Sequence, residues 1–282
     1  MCGFAASAEI RVTDDSGRSV TLKQPARRII SLAPHITELL FAAGAGERIV
    51  GAVEYSTYPK EAQRIPSIGD SAQLDLERIV ALKPDLIVVW QHGNAQRQLN
   101  MLLQLGIPAF YTEPHRLGDV ARSIEQLGRL AGTEAAAAAA ARAFTSGEAE
   151  LRARYAGRDP VSVYFQIWGR PPMTVNAQHI ISDAIRLCGG RNVFAGLAPL
   201  APAVSIEAVL AADPEAIGGA IGEAGSQEDM DAWAKWPRLK SIARGNLFTI
   251  HADLITRHTP RFLEGARQMC EQLDAARARR AK

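Results

Sequence analysis

The chain lacks most of the sequence signatures by which enzymes are recognised. Its 282 residues contain no phosphate-binding Walker loop, no G-x-S-x-G nucleophile elbow and no C-x-x-C pair. Its six histidines are scattered, and none is paired at the short spacings of a metal site. We therefore expect a chain without catalysis of its own.

Two further absences concern the partners of the chain. No apolar run approaches the roughly 20 residues that cross a bilayer, so we expect no membrane insertion. The net charge is only +2, with the basic residues dispersed, whereas a nucleic-acid partner calls for a basic stripe on one face. The length and the 47% hydrophobic content are typical of a globular protein with two domains.

Cysteine is scarce, with three residues in all. Ala6-Ser7-Ala8 fits the A-x-A pattern at which export signals are cut, so residues 1–8 are predicted to be the remnant of a signal peptide. A disordered N-terminus and a lipid-carrying Cys2 are the alternatives. Cys188 and Cys270 then remain, and an exported protein could pair them or keep both as buried thiols.

One stretch of the chain occurs twice. Leu76–Trp90 returns in altered form as Ile206–Ala220, so that Glu77 matches Glu207 and Pro84 matches Pro214, both 130 positions apart. In each copy an acid opens a short helical pattern that ends before a proline, and a buried strand follows. This repeat predicts two similar lobes, each with one exposed carboxylate.

Strand and helix patterns alternate through both halves, which predicts parallel sheets flanked by helices. The exception is the alanine-rich segment 118–156, which favours one long connecting helix, with a flexible linker as the alternative. The predicted organisation is therefore a signal remnant at 1–8, a lobe at 9–117, a bridging helix at 118–156 and a second lobe at 157–282.

Candidate binding residues follow the strands, where open α/β sheets hold ligands. These loops carry aromatic and apolar platforms with a few polar groups, which suits a flat ligand of mixed polarity: Tyr55, Tyr58, Trp90, Trp168, Met173, Asp253 and Arg257. His35, His92 and His258 fall in loops that could face the same cleft, although capping or surface roles are the ordinary ones for histidine. Trp233 and Trp236 are three residues apart, which favours packing in the core.

The order of several short motifs resembles the cobalamin-binding periplasmic proteins of bacterial ABC importers, within the group of siderophore, haem and cobalamin carriers. The resemblance extends from about Glu9 to Leu273. In the first half it rests on Ser31-Leu32-Ala33-Pro34, Thr37-Glu38-Leu39, Tyr55-Ser56, Tyr58-Pro59, Leu76–Leu86 and Gly93-Asn94-Ala95. In the second half it rests on Gln166, Pro171-Pro172, Cys188-Gly189-Gly190, Asn192, Phe194, Ser205, Glu207 and Pro260-Arg261.

The resemblance implies a fold of two similar α/β lobes bridged by one long α-helix, as in class III periplasmic binding proteins. It implies a monomeric periplasmic carrier, with no cofactor of its own, that holds a corrinoid (cobalamin or cobinamide) and delivers it to an ABC permease. Glu77 and Glu207 would dock on the permease, and Cys188 and Cys270 would form a disulfide. The predicted ligand-binding residues are Pro34, His35, Tyr55, Ser71, Trp90, His92, Gln166, Trp168, Asp253 and Arg257.

The sequence departs from this family at two pocket positions, where Ser71 and Ala201 stand in place of tryptophans. The ligand could therefore be haem or a ferric siderophore instead of a corrinoid. A nitrogenase-cofactor-like α/β enzyme is the alternative from another class, but it would need metal-ligand cysteines or a clustered catalytic set.

Overall fold

The computed structural model describes residues 9–70, 72–93, 96–222 and 225–281. The chain divides into two compact units. The N-terminal unit contains the described residues up to Pro114 together with Gly118–Ala143, and the C-terminal unit contains His115–Leu117 and the described residues from Phe144 onward. None of the helices in these ranges is long and apolar enough to cross a membrane.

The N-terminal unit is built on a four-stranded parallel sheet, as the alternating pattern predicts. Its strands are β1 Ile10–Thr13, β2 Ser19–Leu22, β3 Ile29–Ser31, β4 Ile49–Ala52, β5 Leu86–Trp90 and β6 Ala109–Thr112. Its helices are α1 Pro34–Ala42, α2 Leu76–Ala81, α3 Gln96–Gln104 and α4 Leu117–Ala131, with short 3-10 turns at Gly46–Arg48 and Lys60–Arg64.

The sheet has the strand order β4-β3-β5-β6, with Ile30 beside Ile87. Because every neighbouring pair is parallel, the carboxyl ends of all four strands lie along one edge. The strands β1 and β2 form an antiparallel hairpin. Buried side chains from the sheet and from α2 and α3 form the core of the unit: Ile30, Leu32, Ile79, Ile87, Val89, Leu99 and Leu102.

The C-terminal unit repeats this plan. Its strands are β7 Val161–Gln166, β8 Trp168–Gly169, β9 Pro172–Met173, β10 Gly190–Asn192, β11 Ala216–Ile221 and β12 Leu247–His251. Its helices are α6 Ile180–Leu187, α7 Ile206–Ala212, α8 Gln227–Asp231, α9 Lys240–Ala243, α10 Ala252–Ile255 and α11 Phe262–Ala278, with 3-10 turns at Ala232–Lys235 and Arg279–Ala281. The helix α5, Glu134–Tyr155, contains the boundary between the two units.

The parallel sheet of this unit has the strand order β10-β7-β11-β12, and β8 and β9 form a separate two-stranded hairpin. Cys188 at the end of α6 forms a disulfide with Cys270 of α11, which confirms the predicted pairing over the alternative of two free thiols. Both cysteines are fully buried, so the bond fixes the last long helix to its own unit.

The sequence repeat is a structural repeat. Asp75 caps α2 by accepting a hydrogen bond from the backbone of Arg78, and Ser205 caps α7 in the same way through Ala208. Each helix is followed by one strand of its parallel sheet, β5 in the first copy and β11 in the second. Two units with parallel sheets and a repeated helix-strand element confirm the predicted two-lobe α/β fold.

The predicted bridging helix differs from the structure. Segment 118–156 contains two helices, α4 and α5, separated at Gly132 and Thr133. Gly132 has a φ of 63°, a conformation that ends helices, and the Thr133 hydroxyl donates to the carbonyl of Ala43 at 2.6 Å. Alanine favours helix throughout the segment, but this glycine and the new N-terminus after it break the helix in two.

Alanine has a packing role in α5. Ala137 and Ala141 are buried, and a side chain at Gly128 of α4 would collide with Ala137. The two helices can therefore approach closely only because both contact residues are small. The tract is an ordered helix and not the flexible linker considered as its alternative.

Candidate functional site

The carboxyl edge of the N-terminal sheet collects most of the predicted ligand-binding residues of that half. Pro34 and His35 follow β3, Tyr55 follows β4, and Trp90 and His92 end or follow β5. The strand order places these loops beside one another along the edge. These residues therefore lie at the strand ends, as the sequence predicts, and their role in ligand binding stays a prediction.

His35 is buried rather than exposed in a loop. Helix α1 begins at Pro34, a residue favoured at the first helical position, so His35 already belongs to the helix. Its ring lies edge-on against Trp90, with 5.2 Å between centroids. Gly93 lies so close to the Trp90 indole that any side chain there would collide with it. His35 and Gly93 thus fix the orientation of a half-buried tryptophan.

Tyr55 is 58% exposed at this edge. Its φ of 63° is unusual for a residue with a side chain and turns the loop sharply after β4. The next residue, Ser56, accepts a hydrogen bond from Thr37 at 3.1 Å, and Thr37 lies 2.8 Å from Ser31. These three buried hydroxyls tie the loops after β3 and β4 together and hold the ring of Tyr55 outward.

His92 contacts a partner that the sequence analysis did not identify. Its Nδ1 is hydrogen-bonded to Oε2 of Glu113. The imidazole is 64% exposed, whereas the glutamate side chain is only 3% exposed. Glu113 directly follows β6, so the same rule that selects the loops after β3, β4 and β5 would have found it.

In the C-terminal unit, Gln166 ends β7 and is buried. Its Oε1 accepts hydrogen bonds from Nε1 of Trp233 at 3.0 Å and from the hydroxyl of Tyr164 at 3.2 Å. Burial raises the pKa of Tyr164, which keeps this hydroxyl protonated as a donor. The carbonyl of Gln166 is therefore engaged within its own unit. Trp233 packs in the core as predicted, but Trp236 is 39% exposed, so the core prediction is wrong for it.

Trp168 is 46% exposed on the β8–β9 hairpin. Its Nε1 donates to the carbonyl of Arg170 at 3.2 Å. The guanidinium of Arg170 in turn bonds Asp229 of α8 at 2.8 Å and Glu228 at 3.1 Å. Arg170 thus links the hairpin that carries Trp168 to α8, and sequence patterns gave no signal for this link.

Asp253 and Arg257 are paired with each other. Their charged groups lie 3.0 Å apart one turn along the chain, and Arg261 approaches the other carboxylate oxygen at 3.8 Å. Asp253 is partly exposed, but Arg257 is buried at 7% exposure. Arg257 is thus a buried side chain whose guanidinium is paired with Asp253, and its role in ligand binding stays a prediction.

The two predicted docking acids are exposed in the first turns of α2 and α7. Glu77 lines an open groove of about 770 Å³ with three other acids, Glu54, Asp70 and Asp75. Hydrogen bonds to its own backbone and to the Ser205 hydroxyl lower the pKa of Glu207, so this carboxylate stays ionised at neutral pH. Both acids are available to a cationic partner.

Two predictions fall on residues that the structure does not describe. Ser71 and the signal remnant at 1–8 lie outside the described residues. His258 is buried in the C-terminal unit against His179 and Phe262, and therefore does not line an open loop. Within the ranges that the structure covers, no group of three or more His, Cys, Asp or Glu side chains could hold a metal ion.

Comparison with known proteins gives a consistent result. A family model described as periplasmic binding protein matches residues 29–254. The chain is 35% identical over 258 residues to a Vitamin B12-binding protein of Vibrio parahaemolyticus, covering 91% of this chain and 93% of that protein. It is 36% identical over 252 residues to a Vitamin B12-binding protein of Yersinia pestis, covering 89% of this chain and 87% of that protein.

Solved structures show the same similarity. The periplasmic Vitamin B12 binding protein BtuF of Vibrio cholerae superposes with a TM-score of 0.82 at 34% identity, covering 90% of this chain and 98% of that chain. The periplasmic heme-binding protein RhuT from Roseiflexus superposes with a TM-score of 0.76 at 23% identity, covering 89% and 99%. The second comparison shows a shared fold alone.

Proposed function

Because the chain belongs to the periplasmic binding protein family, we propose that it captures a corrinoid, cobalamin or cobinamide, and delivers it to the permease of an ABC importer. The observation that carries this proposal is the 35% identity to a Vitamin B12-binding protein across nine-tenths of the chain. The relatives and solved structures named above are binding proteins and not enzymes.

The side chains at the carboxyl edges support a large, flat ligand. Tyr55 and Trp90 in the N-terminal unit and Trp168 in the C-terminal unit offer aromatic faces that are exposed or half-buried. Rigid aromatic rings supply contact area at a low cost in side-chain entropy. Asp253 contributes a partly exposed carboxylate that could accept hydrogen bonds from the amide groups of a corrinoid.

We also propose that the protein works in the periplasm. The disulfide between Cys188 and Cys270 supports this location, since such bonds persist in oxidising compartments. Glu77 and Glu207 would contact arginines of the permease, one acid from each unit. Their matched positions in a repeated element support this role.

Calorimetric titration of the purified protein with cyanocobalamin, cobinamide and haemin tests the ligand. We expect heat and a raised melting temperature with at least one corrinoid. A haem Soret change, with no response to either corrinoid, would overturn the proposal in favour of a haem carrier.

A matched pair of variants locates the site. Tyr55→Ala should weaken corrinoid binding by about tenfold, which corresponds to about 1.4 kcal/mol of lost aromatic contact. Leu105→Ala is the control, because Leu105 is 56% exposed but follows α3 at the opposite end of the sheet. Equal affinities for the two variants would exclude the carboxyl edge as the binding surface.

A further inference from the structure

We propose that His92 ligates the cobalt of the bound corrinoid through its Nε2, and that Glu113 fixes the imidazole in the tautomer that permits this bond. The inference deepens the proposed function and rests on it, since it requires a corrinoid ligand. It assigns the protein a direct bond to the metal of its cargo, in addition to contacts with the macrocycle.

The first step is the tautomer of His92. A carboxylate can only accept hydrogen bonds, so the contact between Glu113 and Nδ1 places a proton on Nδ1. In the neutral ring the lone pair then resides on Nε2. Because Glu113 is buried and the imidazole is 64% exposed, the exposed part of the ring is the part that carries Nε2. This basic nitrogen therefore lies at the carboxyl edge of the sheet.

The second step is the rigidity of the supporting carboxylate. The backbone N–H of Glu113 donates to Oδ2 of Asp15 at 2.7 Å, and the Thr112 hydroxyl reaches the same oxygen at 3.4 Å. Arg122 pairs with the other oxygen of Asp15 at 3.0 Å. The turn of the β1–β2 hairpin thus holds the start of the loop after β6. A carboxylate behind a metal-binding histidine has this role in many metal sites, where it orients the ring and raises its basicity.

The third step is the contrast with two other histidines. The Nδ1 of His179 accepts a hydrogen bond from the backbone of Ile181 at 3.1 Å, and the Nδ1 of His251 accepts one from Asp253 at 3.3 Å. In their neutral forms both rings therefore carry the proton on Nε2, which cannot then bind a metal. Both have the capping role that is ordinary for histidine, whereas His92 has the opposite tautomer.

The chemistry is a ligand exchange. The corrin ring occupies four positions around cobalt(III) and leaves two axial positions, which water fills in diaquacobinamide. The Nε2 lone pair forms a bond to cobalt and one water molecule leaves, with no change in oxidation state. In dicyanocobinamide cyanide holds both axial positions, so this exchange is blocked.

The experiment compares the absorption spectra of the two cobinamides when bound to the purified protein. With wild-type protein, diaquacobinamide should change its visible bands from those of a water-ligated to those of an imidazole-ligated corrinoid. Dicyanocobinamide should keep its own spectrum. After reduction to cobalt(II), the electron paramagnetic resonance spectrum should show the splitting from one axial nitrogen.

The variants use the same substitution at two histidines. His92→Asn keeps a donor towards Glu113 but removes the imidazole, so bound diaquacobinamide should retain its water-ligated spectrum. His251→Asn is the matched control, since asparagine also caps helices, and it should give the wild-type spectrum. Glu113→Gln should lower the equilibrium constant for replacement of the axial water by His92 by roughly 10-fold or more, as loss of a supporting carboxylate lowers metal affinity at other sites.

The outcomes separate this inference from the proposed function. If neither cobinamide nor cyanocobalamin binds, the proposed function itself fails. The proposed bond from His92 to cobalt is wrong if wild-type protein binds diaquacobinamide but the spectrum stays that of the water-ligated form. It is also wrong if His92→Asn gives the wild-type change. In both cases the proposed function as a corrinoid carrier is retained.

Discussion

Lys83 and Asp213 adopt the same rare backbone conformation at the same place in the two copies of the repeat. Their φ angles are 48° and 40°, and each directly precedes a proline between a short helix and a strand of the parallel sheet. A left-handed residue with a side chain is uncommon, and the helix-to-strand turn imposes it in both units. The two copies therefore share their backbone geometry as well as the position of the residue that caps the helix.

The shared turn predicts different results for one substitution at the two sites. Lys83→Gly should stabilise the protein by about 0.5–1 kcal/mol, because glycine adopts this conformation without strain. Asp213→Gly should give no gain, since the Asp213 carboxylate accepts from the backbone of Lys240 at 2.9 Å and pairs with its ammonium at 2.9 Å. Urea unfolding measures both. A gain at Asp213 equal to that at Lys83 would contradict this account.

Charge reversal tests the docking acids. The double variant Glu77→Lys/Glu207→Lys should abolish corrinoid uptake by cells and leave corrinoid affinity within about twofold, because both acids are exposed and neither is a predicted ligand-binding residue. Glu134→Lys is the control, since Glu134 is also an exposed acid in the first turn of a helix but lies outside the repeat. Unchanged uptake by the double variant would remove the proposed role.

Removal of the disulfide should lower the free energy of unfolding of the C-terminal unit. Its cysteines are 82 residues apart, and closing a loop of that length stabilises a fold by about 4 kcal/mol in the chain-entropy model. Cys188→Ala/Cys270→Ala should lose about that much in urea unfolding followed by tryptophan fluorescence. Reducing agent should destabilise the wild-type protein and leave the double variant unchanged. A loss below about 1 kcal/mol would contradict the prediction.

Mild acid should destabilise the C-terminal unit through its buried histidines. Burial, with the nearby His115, lowers the pKa of His258 to about 4, and burial, with His258 and His115, lowers the pKa of His179 well below its ordinary value. The unfolded chain binds protons at these sites below about pH 6.5, so stability is present above that pH and falls as the pH drops towards 4. His258→Gln should reduce the loss between pH 7 and 5 by about 1–2 kcal/mol in urea titrations.

A carboxylate provides the control for this pH dependence. Burial raises the pKa of Glu215, yet hydrogen bonds from Arg280 and Ser162 hold it down at about 2. Its contribution is therefore present above about pH 4.5 and lost as the pH falls towards 2. Glu215→Gln should alter the pH dependence only in that lower range. If His258→Gln instead leaves the slope between pH 7 and 5 unchanged, the buried histidines are not its cause.

Local patterns in the sequence determine much of this fold. The ends of α6 and the antiparallel hairpin β1–β2 follow from local patterns, because capping and alternation are set by neighbouring residues. The order of the strands depends on contacts between distant segments. The local pattern of the alanine-rich segment gives no sign of the Thr133 bond to Ala43.

The candidate site was predictable to the level of loops. Loop positions follow from the strand ends, which located Tyr55, Trp90 and His92. Side-chain partners do not follow from sequence position. The burial of Arg257 and the contact between His92 and Glu113 are therefore visible only in the folded structure. His92 and Glu113, for example, are near in space but belong to the loops after two different strands.

The spacing of the buried residues along α5 should constrain the length of its alanine tract, although the composition of the tract is repetitive. Ala137 and Ala141 share one buried face of the helix, and Phe144, Leu151 and Tyr155 are buried further along. One alanine more or fewer would turn everything downstream by about 100° relative to the first face. Among natural variants of this gene, substitutions at the exposed alanines should therefore be common, whereas changes in the number of alanines should be rare.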